Sequence, residues 1–219
     1  MNIVFKSLFL TLAIILVAFL LAKYFDDQRV SILKKELESV IQDNLAQQAL
    51  AKYISFMGKE TTEYCEQLMT LREEQAKRNV ALSEKVKEYE KKSLFNEDYD
   101  FLKRSYYIAL IDMYVSEFEL KTKCNKTDVI VAYFYSVENK CQLCNAQNQI
   151  LLKVIEKCQN VRVFSFPVDG NVNLPFIFSK RYSINYTPSI VINDEKKLEG
   201  LYSITQLIDE LKLHGAVCN

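Results

Sequence analysis

Apolar residues fill the chain from Ile3 to Leu21, interrupted only by Lys6, Ser7 and Thr11. A run of that length is about what the hydrocarbon core of a bilayer requires, so residues 1–25 are expected to form a transmembrane anchor. A cleaved signal peptide is the competing reading, but Leu16 before Ala18 and Leu20 before Ala22 do not make a small-x-small cleavage pair. From 27 to 56 the pattern becomes heptad-like, with Val30, Leu37, Asn44 and Ala51 in one column and Leu33, Val40, Gln47 and Ile54 in the other. Such a seam suits a coiled-coil stalk that pairs two copies into a homodimer, with Asn44 able to set the register. It equally suits a helix packed on its own chain.

Gly58 breaks that pattern, and Thr61 or Thr62 can cap a second helix running to Lys92, very polar between Arg72 and Lys91. After 93–98 a third helix presents Phe101, Leu102, Tyr107, Ile108, Ile111, Tyr114, Val115 and Phe118 as a wide apolar face. Two long helices with a short link fold back antiparallel. The turn centre falls near 94 and 95, so Cys65 and Cys124 lie almost equidistant from it and are expected to form a disulfide across the open end of the hairpin. Two unrelated buried thiols are the alternative.

Beyond Asp128 the pattern changes to strands alternating with helices: a strand Val129–Tyr135, a helix over 145–158, a strand Val161–Val168 and a helix over 174–182. A strand Ser189–Ile192, a turn at 193–196, a strand Lys197–Tyr202 and a helix over 203–214 complete it. This order predicts an α/β unit with a central mixed sheet and helices on both faces. The expected domains are an anchor at 1–25, an all-α stalk and hairpin at 26–126, and the α/β domain at 127–219.

Lys and Arg together number 28 and so do Asp and Glu, so the balance lacks the basic excess that phosphate binding needs, and no nucleic-acid partner is expected. No G-x-x-x-x-G-K-[ST] or G-x-G-x-x-G occurs, and no cofactor is expected. The six cysteines can make one redox pair and two structural bridges, which persist in oxidising compartments. That places the body outside the cytoplasm, as a single-pass membrane protein. Counting positive charges alone argues the reverse, with Lys6 before the apolar run against Lys23, Arg29, Lys34 and Lys35 after it.

The candidate chemistry lies at Cys141-Gln142-Leu143-Cys144, between the first strand and the helix that follows. This spacing lets two sulfurs meet at a helix start, where unpaired N–H groups and the positive end of the dipole favour the thiolate of the first cysteine. Cys141 is thus the attacking thiol and Cys144 the resolving one. The same four residues are half of a zinc site, but no second close pair exists and His214 is the only histidine, so no metal is expected.

The strand, C-x-x-C, helix order, together with Thr187-Pro188 before the strand 189–192, resembles the thioredoxin superfamily over residues 127–219. The resemblance implies a cis Pro188 lying against the C-x-x-C, with Thr187 offering backbone to an extended substrate. It also implies that the helix after the motif and the last helix run side by side away from the site, which brings Cys158 and Cys218 together as a second structural disulfide. Several features depart from the superfamily. Tryptophan is absent, Ala132 and Tyr133 occupy the stretch where a buried carboxylate is often found, and Glu138 is the nearest carboxylate. Gln142 and Leu143, which tune the potential in this superfamily, match neither reducing nor strongly oxidising members, and Lys140 stands next to Cys141 as a further modulator. The implied function is a membrane-anchored thiol-disulfide oxidoreductase acting on cysteine-containing protein substrates, reset by a membrane thiol oxidase or electron carrier. The alternative is a non-catalytic module of the same fold, held on a coiled-coil stalk.

Overall fold

The structure, a computed structural model, describes residues 3–57, 62–91, 97–137, 141–169 and 173–219. The chain divides into two units, Met1–Leu45 and Ala46–Asn219. One continuous helix, α1 (Ile3–Met57), makes up the described part of the first unit and enters the second.

The transmembrane anchor expected over 1–25 is corrected here: among the described residues no helix is long and apolar enough to cross a membrane. Of the heptad columns, the side chains of Val30, Leu33, Leu37, Val40, Asn44 and Gln47 lie outside the described residues. At the end of α1, Ile54 is buried and packs with Ala51 against Tyr64, Leu68, Leu71 and Leu120 of the same chain.

Helix α2 (Thr62–Lys91) buries Tyr64, Leu68, Leu71, Gln75, Asn79, Leu82 and Val86, a single stripe at steps of three and four. The stripe lies along α3 (Glu97–Lys123), whose small residues Ser105, Ala109 and Ser116 are buried and let the two backbones approach. Two polar positions of α2 make specific bonds to α3: Asn79 Nδ2 donates to the Ala109 carbonyl at 3.0 Å, and Arg72 pairs with the buried Glu117 at 2.6 Å. Tyr99 donates to Glu90 at 2.9 Å near one end of the hairpin. At the other end Cys65 and Cys124 are bonded, with Cα atoms 5.7 Å apart. The Ser93–Asn96 part of the link lies outside the described residues, as do Gly58 and Thr61.

The remaining elements are β1 (Val129–Tyr135), α4 (Gln142–Lys157), β2 (Val161–Pro167), α5 (Asn173–Arg181), β3 (Ser189–Ile192), β4 (Lys196–Glu199) and α6 (Ile204–Leu213). The four strands form one mixed sheet in the order β2-β1-β3-β4, with β1 parallel to β2 and antiparallel to β3, and β4 antiparallel to β3. Strand β1 is buried from Val129 to Phe134, the unbroken apolar run of a strand covered on both sides. Its alternation sorts two cores. Val129, Val131 and Tyr133 meet Leu151 and Val154 of α4 and Leu207 and Leu211 of α6. Ile130, Ala132 and Phe134 meet Tyr107, Leu110 and Tyr114 of α3, with Phe178 of α5 alongside.

The third helix therefore serves two partners, α2 and the sheet, which is why its apolar face is so wide. Tyr114 centres the second core: its ring stands edge-on to Phe164, Phe166 and Phe178, and its hydroxyl shares a 2.9 Å hydrogen bond with that of Tyr182. Val115, assigned to the apolar face by periodicity, stays exposed because the helix turns it away from both partners.

Of the element ends that differ from the sequence expectation, two have a clear local cause. Helix α4 starts at Gln142, one turn before 145, because Cys141 caps it. Strand β4 stops at Glu199, because Gly200 takes φ +90, a conformation only glycine adopts without strain. The tail is tied down: Cys158 and Cys218 are bonded with Cα atoms 4.0 Å apart, and Asn160 Oδ1 accepts the Val217 N–H at 2.7 Å.

The Cys65–Cys124 bond closes a sequence separation of 59 residues. By loop-closure entropy it contributes about 4 kcal/mol. The paired substitution Cys65→Ala and Cys124→Ala is expected to lower the urea-unfolding free energy by about that amount. A loss under about 1 kcal/mol would show that the hairpin needs no clamp.

Candidate functional site

Helix α4 faces the first core with Cys144, Gln147, Leu151 and Val154, again at steps of three and four. That register decides the asymmetry of the cysteine pair. Cys144 belongs to the inward stripe and is 3% exposed, whereas Cys141 precedes the helix as its cap and is half-buried. Cys141 has extended backbone, and its sulfur accepts the Cys144 N–H at 3.1 Å, as a serine oxygen does at an ordinary N-cap. Its carbonyl accepts the Asn145 N–H at 3.2 Å, the first bond of the helix. Cys141 and Cys144 are bonded, with Cα atoms 5.2 Å apart. Gln142 and Leu143 are exposed, Leu143 at 52%, so the dipeptide between the sulfurs faces solvent.

The segment before β3 lies across from this helix start. The Thr187–Pro188 bond is cis, Pro188 is buried and Thr187 half-buried. The Thr187 carbonyl oxygen is 3.9 Å from Cys141 Sγ. Two bonds hold the segment: Gly200 N–H donates to the Pro188 carbonyl at 2.8 Å, and Ser189 Oγ donates to the Tyr186 carbonyl at 2.7 Å. Pro188 therefore enters a strand paired on both sides, and its missing N–H falls just before the ladder begins.

Cys141, Cys144 and the Thr187 backbone thus share one place at the end of the sheet. Glu138 and Lys140 lie outside the described residues. The bonded pairs Cys65–Cys124 and Cys158–Cys218 account for the other cysteines, leaving none free. Among the described residues no group of three or more His, Cys, Asp or Glu side chains is placed to hold a metal ion.

Four further residues shape the site in roles that the sequence alone does not assign them. Tyr133 donates its hydroxyl to the Cys144 carbonyl at 2.7 Å, tying the first turn of α4 to β1. Its ring stacks on that of Tyr135 with centroids 5.7 Å apart, and Tyr135 shares a 3.2 Å hydrogen bond with Tyr107 of α3. Burial pushes the Tyr133 phenol above its ordinary range, and Tyr135 beside it adds to the effect. Gln147, one turn after Cys144, is fully buried, and its Oε1 accepts the Tyr202 N–H at 2.8 Å. Asp169, just after β2, accepts from Ser136 Oγ and, at 2.7 Å, from the Val137 N–H, and so joins the loops leaving β1 and β2. The signals were present: Tyr133 has the parity of Val129 and Val131, and Gln147 falls on the inward stripe of α4.

Beside Cys144 lies a cavity of about 220 Å³ lined by Tyr133, Tyr135, Cys144, Asn145, Asn148 and Ser165. It takes polar groups from β1, α4 and β2.

No protein-family model matches the chain. No curated protein matches it either. Among solved structures it is similar to a thioredoxin from Thermus thermophilus, at 19% identity over 46% of this chain and 82% of that one, with a TM-score of 0.34.

Gln147 links α4 to the segment that follows β4, so truncating it strands the Tyr202 N–H and leaves a void. Gln147→Ala is expected to cost about 2 to 4 kcal/mol in chemical denaturation. A cost under about 0.5 kcal/mol would mean that Tyr202 finds another acceptor.

Proposed function

We propose that this protein is a thioredoxin-like thiol-disulfide oxidoreductase whose Cys141–Cys144 pair exchanges with cysteines of protein substrates. The observation that carries the reading is the inequality of two bonded sulfurs, one half-buried at a helix N-terminus beside the Thr187 carbonyl and one buried behind it. A static structural bridge has no use for such a difference, whereas exchange requires one accessible nucleophile and one protected resolver. In the reduced state the cap position places the Cys141 thiolate on the free N–H groups of α4, which lowers its pKa and raises its population at neutral pH.

The exchange runs through two displacements. The Cys141 thiolate attacks a substrate disulfide, one substrate sulfur leaves as thiolate, and a mixed disulfide forms. Cys144, deprotonated, then attacks Cys141 Sγ, which closes the Cys141–Cys144 bond and releases the second substrate thiolate. Two electrons pass to the substrate, and the reverse sequence oxidises a substrate dithiol. The backbone at Thr187, next to the reacting sulfur, suits an extended substrate segment laid alongside it. A thiol oxidase or an electron carrier resets the pair between turnovers. The two remaining disulfides favour an oxidising compartment as the place of action.

Equilibration of the protein with glutathione, and its turnover of insulin disulfides, test the reading. The parent is expected to cycle at Cys141–Cys144, Cys141→Ser to lose all turnover, and Cys144→Ser to accumulate a mixed disulfide with substrate. A parent protein that neither equilibrates nor turns over would leave the pair as a structural bridge.

A further inference from the structure

The second displacement requires that the buried Cys144 thiol lose its proton, and the surroundings of that sulfur limit where the proton can go. The side chains lining the adjoining cavity are Tyr133 and Tyr135 from β1, Asn145 and Asn148 from α4 and Ser165 from β2. All are polar, and among the described residues none in the lining is a carboxylate, an imidazole or an amine. At about 220 Å³ the cavity has room for several water molecules with hydroxyl and amide partners from three elements.

Resting on the redox reading above, we propose that Cys144 exchanges its proton with water held in this phenol-lined cavity and not with a protein carboxylate. Tyr133 acts as a positioning residue, because its hydroxyl holds the Cys144 carbonyl and so fixes the sulfur against the cavity wall. In the reducing direction the S–H proton passes to a cavity water and on to solvent. The freed electron pair of Cys144 forms the bond to Cys141 Sγ, the bond between Cys141 and the substrate sulfur breaks, and the departing thiolate takes a proton from solvent. In the oxidising direction Cys144 leaves as thiolate and is reprotonated from the same cavity.

Among the described residues, the titratable groups facing this region are few. Burial raises both Tyr133 and Tyr135, so each phenol stays neutral and relays a hydrogen bond without acting as a base. Tyr107 of α3 bonds Tyr135 and partly offsets the rise there, while the negative charges of Glu90 on α2 and Asp169 after β2 add to it. Asp169 is engaged by Ser136 and the Val137 N–H. A resolver served by a protein base should show that base's titration in its rate; one served by water should follow only its own thiol.

The test uses the full chain, reduced at Cys141–Cys144 by brief exposure to dithiothreitol and mixed with Ellman's reagent in a stopped-flow instrument between about pH 5 and 9. Attack by Cys141 releases one thionitrobenzoate in a first phase, and attack by Cys144 on the mixed disulfide releases another in a second phase. The second phase is expected to accelerate about tenfold per pH unit up to the pKa of Cys144, with no inflection in the carboxylate range. Asn148→Leu, at an exposed position of α4, replaces an amide partner of the cavity water by a larger apolar side chain and is expected to slow the second phase by about tenfold or more. The first phase, unchanged within about twofold, reports that the variant is folded and that Cys141 still attacks. An inflection at about pH 5 to 7 in the parent would assign the proton to a carboxylate such as Glu138 and overturn the proposal. So would a second phase in Asn148→Leu as fast as in the parent. If the parent gives no second phase at all, the redox reading itself fails and this inference with it.

Discussion

Strand β1 is covered on both faces, and the rest of the C-terminal architecture depends on that burial. Removing the Val129–Phe134 side chains from water stabilises the fold by roughly 1.5 to 3 kcal/mol for each large apolar residue. The stabilisation is realised only if each face has a lid. Helices α4 and α6 cover one face, and α3 with α5 covers the other. Because α3 is one arm of the hairpin, the long helices are bound to the sheet through the aromatic cluster around Tyr114. The turn between β3 and β4 is bound to β1 by Asn193, whose side chain accepts the Ile130 N–H at 2.9 Å while its own N–H donates to the Ile130 carbonyl at 2.7 Å.

The site inherits its geometry from the same strand. Parallel pairing of β1 with β2 requires a crossover, α4 supplies it, and the helix must therefore begin at the end of β1. The stripe that buries α4 takes Cys144 inward and leaves Cys141 at the cap. Tyr133 and Tyr135, at the end of β1, then stand beneath the motif where an acidic side chain would be a base. Phenols are weaker acids, and burial makes them weaker still, so they serve as hydrogen-bond donors.

Much of the C-terminal half was legible because its signals are local. The short apolar runs bounded by polar and turn residues locate β1, β2 and β3, and equal arm lengths put Cys65 opposite Cys124. Other features were not. The apolar run at 3–21 reads as an anchor by composition, yet among the described residues no helix is long and apolar enough to cross a membrane. The double duty of α3 was hidden, since a wide apolar face does not say what covers it. The roles of Tyr133 and Gln147 were hidden as well, since each depends on which atoms of α4 and of the segment at 202 arrive opposite.

By itself the sequence determined the positions of the sulfurs along the chain, the faces of the strands and the spacing that permits Cys141 and Cys144 to bond. Periodicity and loop length are properties of neighbouring residues and need no partner to be expressed. Only the tertiary structure decided how far each sulfur is buried, that the Thr187 carbonyl stands against Cys141, and that the groups around Cys144 are phenols and amides. Those are contacts between residues far apart in the chain, and they exist only once the burial of β1 has brought α3, α4, β2 and the segment before β3 together around it.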